Sequence, residues 1–534
     1  MNQQLKNLTG KVAEGLMTRR EFVSRAAALG VTAAAAQTML AQSARADAHE
    51  TPKRGGTIKV GSSGGESTNS HDPALTASEV PLNNIRHWGE TIVEVNEEGH
   101  LDYRLAESGE ASSDAKTWVF KIKKGIPFSN GRELKAEDVL KTYQRHSNEE
   151  SQSGALGIMK GISGMKVDGD NVVIELETGN ADLPYLLADY HLMIQPDGGM
   201  EDPTAAIGTG PYTIEFDEPG VRHGYKRRED YWDAENRGFA EFSEVLVLND
   251  ATARTAALQS GQVHLINRVD PKVASLLGRA PNLSVESVSG RGHYVFIAHI
   301  DTAPFDNNDL RLALKYAINR EEMVDKILRG YGSVGNDFPI NAAYPLFDET
   351  IPQREHSLEK AREHYEKSGH DGSPIILRVS DGAFSGAVDA AALFLESAKA
   401  AGIPLEIKRE PNDGYWSEVW NKQPFCASYW GGRPVQDQMY TTAYLSTADW
   451  NDTRWKRPEF DEMLLAARAE LDEAKRKDIY SKMGQMLRDE GGLILPMFND
   501  FVHGVSNNIG GWIADPNGEM MDNKASIKCW LKDA

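Results

Sequence analysis

The stretch from Ile207 to Ile266 constrains the fold of this chain more than any other. It opens with Gly208-Thr209-Gly210-Pro211-Tyr212, where two glycines and a proline punctuate the backbone and feed a strand over Tyr212–Phe216. Arg227-Arg228-Glu229-Asp230-Tyr231-Trp232 follows, then an apolar run, Glu244-Val245-Leu246-Val247-Leu248, that reads as a buried strand. Asn249-Asp250 precede a helix over Ala251–Gln259, and Gly261 is placed to end it. A second apolar run, Gln262-Val263-His264-Leu265-Ile266, closes the unit. Strand, helix and strand within a few dozen residues form a crossover unit of a mixed sheet, which puts the chain in the α/β class.

The first 46 residues have a different character. Six basic residues against two acidic ones give +4, so the remainder of a chain with net charge −21 carries −25. Thr18-Arg19-Arg20-Glu21-Phe22-Val23 has the twin-arginine pattern, Ala26–Ala41 is Ala-rich and mildly apolar, and Ala44-Arg45-Ala46 is a small-x-small cleavage signature. An amphipathic N-terminal helix is the plain alternative. The order of charge block, apolar block and cleavage site instead predicts a twin-arginine signal peptide over 1–46, leaving Asp47 first. No other run approaches the ~20 apolar residues of a membrane span, so the mature protein is expected to be soluble and periplasmic. Its acidity argues against nucleic acid as a partner. The two cysteines, Cys426 and Cys529, are permitted a bridge by an oxidising compartment, and sequence leaves the pairing open.

The motifs G-T-G-P-Y, R-x-x-x-Y-W and N-D-A-T-A-R-x-x-A-L-Q-S-G-Q-V, over 208–263, resemble the central signature of the family 5 extracellular solute-binding proteins, the peptide, nickel and opine receptors of bacterial ABC importers. Other segments carry the same resemblance. They are the Gly55-Gly56-Thr57 strand with its Asp72-Pro73 loop, Leu105–Ser108, Lys116–Gly131 with Ala136–Val139, and Pro304–Arg320. The resemblance implies a periplasmic-binding-protein-like fold, two lobes with mixed sheets joined by a hinge, plus an extra small domain. It places lobe I at 47–82, 206–298 and 506–534, the small domain at 83–205, and lobe II at 299–505. It also implies an extracytoplasmic receptor that closes on a small peptide-like or carboxylated solute and delivers it to an ABC permease in the inner membrane. Such a receptor acts as a monomer, performs no chemistry and needs no cofactor.

The segment expected to meet the ligand is Asp413-Gly414-Tyr415-Trp416-Ser417-Glu418-Val419-Trp420 followed by Phe425–Pro434. Trp430 ends a short apolar strand against Gly431-Gly432, where backbone can approach a ligand closely. Trp430 with Arg433 supplies an apolar wall and a fixed fork for a carboxylate. Peptide-binding members of the resembled family read W-x-A-D here, and their acid grips the peptide's α-ammonium. This chain reads Trp430-Gly431-Gly432-Arg433, with a base close by instead of the acid. Trp416, Glu66, Thr68, Arg86, His87 and Tyr440 are further candidates from family topology. The bland readings are core packing for Trp420 and pairing of Arg433 with Asp437. Two other functions find partial matches in the sequence. Gly61–Gly65 matches G-x-S-x-G with Ser63 in the nucleophile place, but a hydrolase elbow needs an immediate apolar helix, and here polar residues and Pro73 follow. A nickel or metal-chelate receptor would draw on His87, His293 or His299, which show no paired spacing.

Overall fold

The computed structural model describes residues 51–534 apart from 77, 149, 151–152, 160, 381, 412–414 and 449. The expected signal peptide and its cleavage site lie outside the described residues. An eleven-stranded mixed sheet runs through the molecule. Its strands are β1 (Thr57–Ser62), β2 (Tyr212–Glu218), β3 (Arg222–Arg227), β4 (Phe242–Val247), β5 (Leu265–Ile266), β6 (Leu283–Ala298), β7 (Gly332–Val334), β8 (Ile375–Val379), β9 (Leu405–Arg409), β10 (Phe425–Trp430) and β11 (Leu493–Ser506). Their spatial order is β9-β8-β10-β6-β11-β5-β1-β4-β3-β2, with β7 on β11.

The crossover unit forms as its residues dictate. Strand β4 and the two-residue β5 both pair parallel with β1, one on each side, and Val60 lies opposite both Val245 and Leu265. Between them runs the helix Ala251–Gln259, whose first turn is capped by Asp250 Oδ1 accepting from the Ala253 N–H at 2.7 Å. Gly261 follows at φ +73°, a left-handed position where a side chain would be strained. The glycines of Gly208-Thr209-Gly210-Pro211 serve a different need, close approach. A Cβ on Gly208 would lie 2.2 Å from the Trp88 carbonyl oxygen, and one on Gly210 would lie 2.6 Å from the Trp88 carbonyl carbon.

That contact is locked by Glu90, which is 1% exposed. Its carboxylate accepts from Thr209 Oγ1 at 2.9 Å, Tyr231 OH at 2.8 Å, Trp232 Nε1 at 2.9 Å and the Arg104 guanidinium. One buried anion thereby ties the glycine turn to the Tyr231-Trp232 motif.

A second, antiparallel sheet of four strands lies within 106–176, in the order Ala106–Ala111, Thr117–Ile122, Asn171–Leu176, Ile162–Asp168. The helix Ala136–Ser147 packs on it, and Phe120, Val139, Tyr143 and Ile174 share its own apolar core. The chain end returns to the β1 side, where Ile509 and Leu531 join Ile58 and Val60 in one cluster.

Two strands are far longer than sequence predicts. Only Val295–Ala298 and Leu493–Phe498 read as strand, yet β6 spans 16 residues and β11 spans 14. The stretch Ser287-Val288-Ser289-Gly290-Arg291-Gly292-His293 looks like loop because it is polar and glycine-rich. It is strand because β11 supplies its backbone partners, from Leu283↔Ser506 to Ile297↔Leu493. Both cysteines are free and buried, in separate cores, with Cys426 beside Phe425 and Ala427 and Cys529 beside Met521.

Removing a buried charge's partner leaves the other group unpaired in a dry interior, at about 3–5 kcal/mol. We expect Glu90→Ala to lower the unfolding free energy by that amount in urea titrations, with Glu90→Gln losing less. A loss under about 1 kcal/mol would mean that packing alone holds the two motifs together.

Candidate functional site

A cleft of about 1520 Å³ opens where β6 and β11 cross from one half of the large sheet to the other. The crossing is irregular. Ser289 pairs with Asp500 and His293 with Phe498, so three residues of β6 face the single Asn499. The two surplus residues form a bulge of the kind that re-aims side chains beside functional sites. Gly290, Arg291 and Gly292 occupy it, and Arg291 and Gly292 line the cleft floor together with Asn499 and Asp500.

Arg291 is 3% exposed. Its Nε donates to the Ala343 carbonyl at 3.0 Å and its Nη1 to Asn517 Oδ1 at 2.8 Å. The guanidinium lies 5.3 Å from the Tyr344 ring centroid. Its Nη2 has no hydrogen-bond partner. Burial pulls its pKa down, though a guanidinium stays charged.

One wall comes from the end of β10 and the turn after it. Gly432 adopts φ +80°, and a Cβ there would stand 2.4 Å from Arg291 Cβ, so only glycine lets this turn rest on the bulge. The Arg433 N–H donates to Tyr344 OH at 3.0 Å, and its Nη1 donates to the Gly432 carbonyl at 2.6 Å. Its guanidinium stands 5.8 Å from the Trp430 ring centroid. Asp437 is not its partner, being paired with Arg468 at 2.9 Å. Trp430 and Trp450 lie 6.0 Å apart and form an aromatic step, with Trp450 half-exposed to the cleft.

The indole N–H groups of Trp430 and Trp420 both donate to Oδ2 of Asp452, at 3.3 and 2.9 Å. Asp452 is fully buried, and its Oδ1 has no hydrogen-bond partner. Burial pushes its carboxyl up to about 7, against the two indole donors that pull it back.

The opposite wall is charged. Arg86 donates to Asp522 at 2.7 Å, and Arg268 pairs with Glu519 at 2.7 Å and with Glu79 at 3.5 Å. Burial and then the charge of Glu519 raise the Glu79 carboxyl, with Arg268 opposing them. Glu519 and Asp522 flank a left-handed turn in which Met520, Met521, Asp522 and Asn523 all have φ between 53° and 61°. Non-glycine residues held there store of order 1–3 kcal/mol each, a pattern that clusters at ligand sites.

Of the residues singled out from sequence, Trp430, Gly431, Arg433 and Arg86 line this cleft, and Glu66, Thr68, His87 and Tyr440 do not. Glu66 and Thr68 sit exposed on the loop after β1, 3.5 Å apart. His87 is a core residue, contacting Asn83 O and Ser243 Oγ at 2.8 Å each and stacked on Tyr225, and burial drives it down to about 3. Tyr440 packs among Phe460 and Tyr480. Trp416 lies in the short helix Tyr415–Glu418. His87, His293 and His299 form no metal-sized group among the described residues. Ser63 is buried with its Oγ 3.3 Å from Asn267 Oδ1, an amide oxygen that cannot act as the general base a nucleophilic serine needs. Arg291, Arg268, Glu79, Glu519 and Asp522 are cleft residues that sequence did not reveal. The Gly290-Arg291-Gly292 triplet was a usable signal, whereas the left-handed turn at 520–523 carries no glycine to mark it.

Three comparisons bear on this arrangement. Residues 100–452 match the family model described as bacterial extracellular solute-binding proteins, family 5 middle. The chain is 24% identical to the di/tripeptide-binding protein 1 of Pseudomonas aeruginosa over 443 residues, covering 72% of this chain and 78% of that one. Its fold superposes on the periplasmic binding protein DppA of Helicobacter pylori in complex with peptide STSA, with TM-score 0.75, 19% identity, and 90% and 99% of the two chains covered. It superposes likewise on AgaA from A. tumefaciens R10 in complex with agropinic acid, with TM-score 0.74, 20% identity and 89% and 99% covered.

Between pH about 4 and about 7 the folded state holds a proton on Asp452 that the unfolded chain has released, so stability falls as pH rises through that window. Asparagine keeps an acceptor for both indoles but cannot ionise. Asp452→Asn is therefore expected to raise the thermal midpoint more at pH 8 than at pH 5. An equal shift at both values would remove Asp452 from the titration.

Proposed function

The chain belongs to the family 5 bacterial extracellular solute-binding proteins, and on that basis we propose that it is the receptor of an ABC importer for a small carboxylated solute of peptide-like or opine-like chemistry. The observation that carries the ligand class is the pairing of cleft arginines. Arg86, Arg268 and Arg468 each hold a carboxylate of the protein. Arg291 and Arg433 have no such partner among the described residues, and they meet at Tyr344 on the cleft floor and wall. A charge left in that position favours a ligand anion, and the fork geometry of guanidinium suits a carboxylate. The Trp430–Trp450 step offers an apolar surface to the rest of the solute. Relatives named for di- and tripeptides, and the fold shared with AgaA in its agropinic acid complex, are consistent with this class.

In this reading the ligand bridges the charged wall and the β10 wall, and the two lobes close by bending at the β6–β11 bulge. The lobe boundaries expected from sequence end lobe I at 298 and lobe II at 505, whereas the bulge lies at 290–292 opposite Asn499. The receptor is exported by the twin-arginine route, works in the periplasm as a monomer, and hands its cargo to a membrane permease without altering it.

Hydrogen bonds to a charged group are worth about 1.5–3 kcal/mol each. Arg433→Ala is thus expected to weaken binding of the co-purified solute, identified by native mass spectrometry, by about 10- to 100-fold in calorimetry, with the thermal midpoint of the empty protein little changed. An unchanged affinity, or a bound solute lacking any acidic group, would overturn the ligand class. In the native host, replacing Arg19 and Arg20 by lysine is expected to retain the full-length precursor in the cytoplasm, whereas the wild-type protein is recovered from the periplasm starting at Asp47. Continued export of the variant would exclude the twin-arginine route.

A further inference from the structure

Away from the cleft, three side chains converge that the receptor function does not use. His71 lies on the loop after β1, and Asp217 and His223 stand opposite one another on the antiparallel strands β2 and β3. Nε2 of His71 is 3.1 Å from Asp217 Oδ1, and Nδ1 of His223 is hydrogen-bonded to the same oxygen. One donor atom from each residue falls within a mutual distance of 4.8 Å. Both imidazoles are buried, while Asp217 keeps an opening to solvent. From this geometry we propose that His71, Asp217 and His223 form a binding site for one divalent transition-metal ion, Zn²⁺ in the first instance.

The donor set fits that class. Two imidazole nitrogens and one carboxylate oxygen make a three-ligand site with a position left for water, and they suit Zn²⁺, Co²⁺ or Ni²⁺ better than Ca²⁺ or Mg²⁺, which prefer all-oxygen shells. Metal–nitrogen and metal–oxygen bonds of about 2.0–2.2 Å put neighbouring ligand atoms roughly 3–3.5 Å apart. The His71–Asp217 pair already has that spacing, and to admit an ion the His223–Asp217 contact would open and the two imidazole nitrogens would settle at the same separation. The outer ring nitrogens, His71 Nδ1 and His223 Nε2, have no hydrogen-bond partner. Without an ion, Asp217 Oδ1 accepts from both inner ring nitrogens; an ion would take the place of those protons, and each ring would carry its proton on the outer nitrogen instead. Two of the three ligands stand on paired strands, and the third is anchored by its neighbour. Asp72 caps the turn Pro73–Leu75 and is gripped by Arg145.

The site bears on solute capture. The loop that carries His71 continues into Ala74, Leu75 and Thr76, which line the cleft. A metal ion would staple that loop to β2 and β3 and hold this edge of the cleft in place. None of the three ligands lines the cleft itself, so the ion is separate from the transported solute.

The test uses the tag-free mature protein, stripped with chelator and titrated with Zn²⁺ by calorimetry, with Co²⁺ absorption as an independent readout. We expect one ion per chain, a rise of several degrees in the thermal midpoint, and a tetrahedral Co²⁺ spectrum. Asp217→Asn and His71→Ala are each expected to lower Zn²⁺ affinity at least about 100-fold, beyond the 10- to 100-fold typical of losing a ligand's supporting partner. If His71→Ala fails to fold, Asp217→Asn alone decides, since its amide preserves size and an acceptor. Absence of saturable Zn²⁺ binding would reduce the trio to a hydrogen-bonded relay and overturn the proposal. Equal binding by wild type and Asp217→Asn would overturn it as well, by placing the ion elsewhere.

Discussion

The backbone ladder between β6 and β11 is the constraint on which the architecture rests. Every N–H and C=O in a buried strand must find a partner, and these two strands satisfy one another over most of their length while passing from one half of the sheet to the other. Because the same pair belongs to both halves, the halves cannot be positioned independently. The ladder shifts register at two places, between Tyr294 and Phe296 and at the Gly290–Gly292 bulge, and the latter lies on the cleft floor. The backbone is least cross-linked where a ligand would meet it. Hinges are usually a few such residues able to absorb φ/ψ changes.

The buried charges have a complementary role. Glu90 collects four donors, three of them more than a hundred residues away in sequence. Arg237 grips Glu94 through two hydrogen bonds of 2.9 and 2.6 Å nearby. In the other half, Asp337 is fully buried and is held by Arg320 and Arg354 and by the Leu495 N–H at 3.0 Å. Such ions gain little net stability over an apolar core, since their desolvation offsets most of the Coulomb attraction. They do penalise every arrangement that separates them. That accounts for G-T-G-P-Y and R-x-x-x-Y-W being separate motifs in the chain and one network in the fold.

The crossover unit and the β10 turn were legible because local rules govern them: an Asp cap at 250, a glycine stop at 261, and apolar runs bounded by glycine. Trp430, Gly431 and Arg433 were legible for the same reason, as an aromatic and a base around glycines at a strand end. What failed to show depends on partners far away in sequence. The polar middle of β6 becomes strand only through β11. His87 resembles a surface histidine until Ser243 and Tyr225 enclose it. Tyr440 and Glu66 share the composition of ligand contacts, but helix packing buries one and a loop leaves the other outside. The 520–523 turn violates local preference altogether, so only tertiary contacts, among them the Met520 N–H bonded to His503 at 2.9 Å, can impose it.

Strain at that turn and the desolvation of Arg291 follow one logic. A flexible site would order its side chains when the solute arrives, and each immobilised long side chain would subtract about 0.5–1.5 kcal/mol from affinity. Here the ordering is met during folding. Arg291 is fixed by Ala343, Asn517 and Tyr344, Arg433 by Gly432 and the Trp430 face, and Trp430 by Asp452. The energy held in a left-handed turn and in a buried, partly unpaired guanidinium is drawn from the large apolar cores on either side. In the proposed reading, a carboxylate entering the cleft meets guanidiniums already fixed by the protein and a charge that water solvates poorly. The chain's net charge of −21 opposes the approach of any anion from a distance, but that field is screened beyond about 8–10 Å at physiological salt. In the proposed reading, selectivity for a carboxylate rests on the last few ångströms, where Arg291 and Arg433 outweigh the surface.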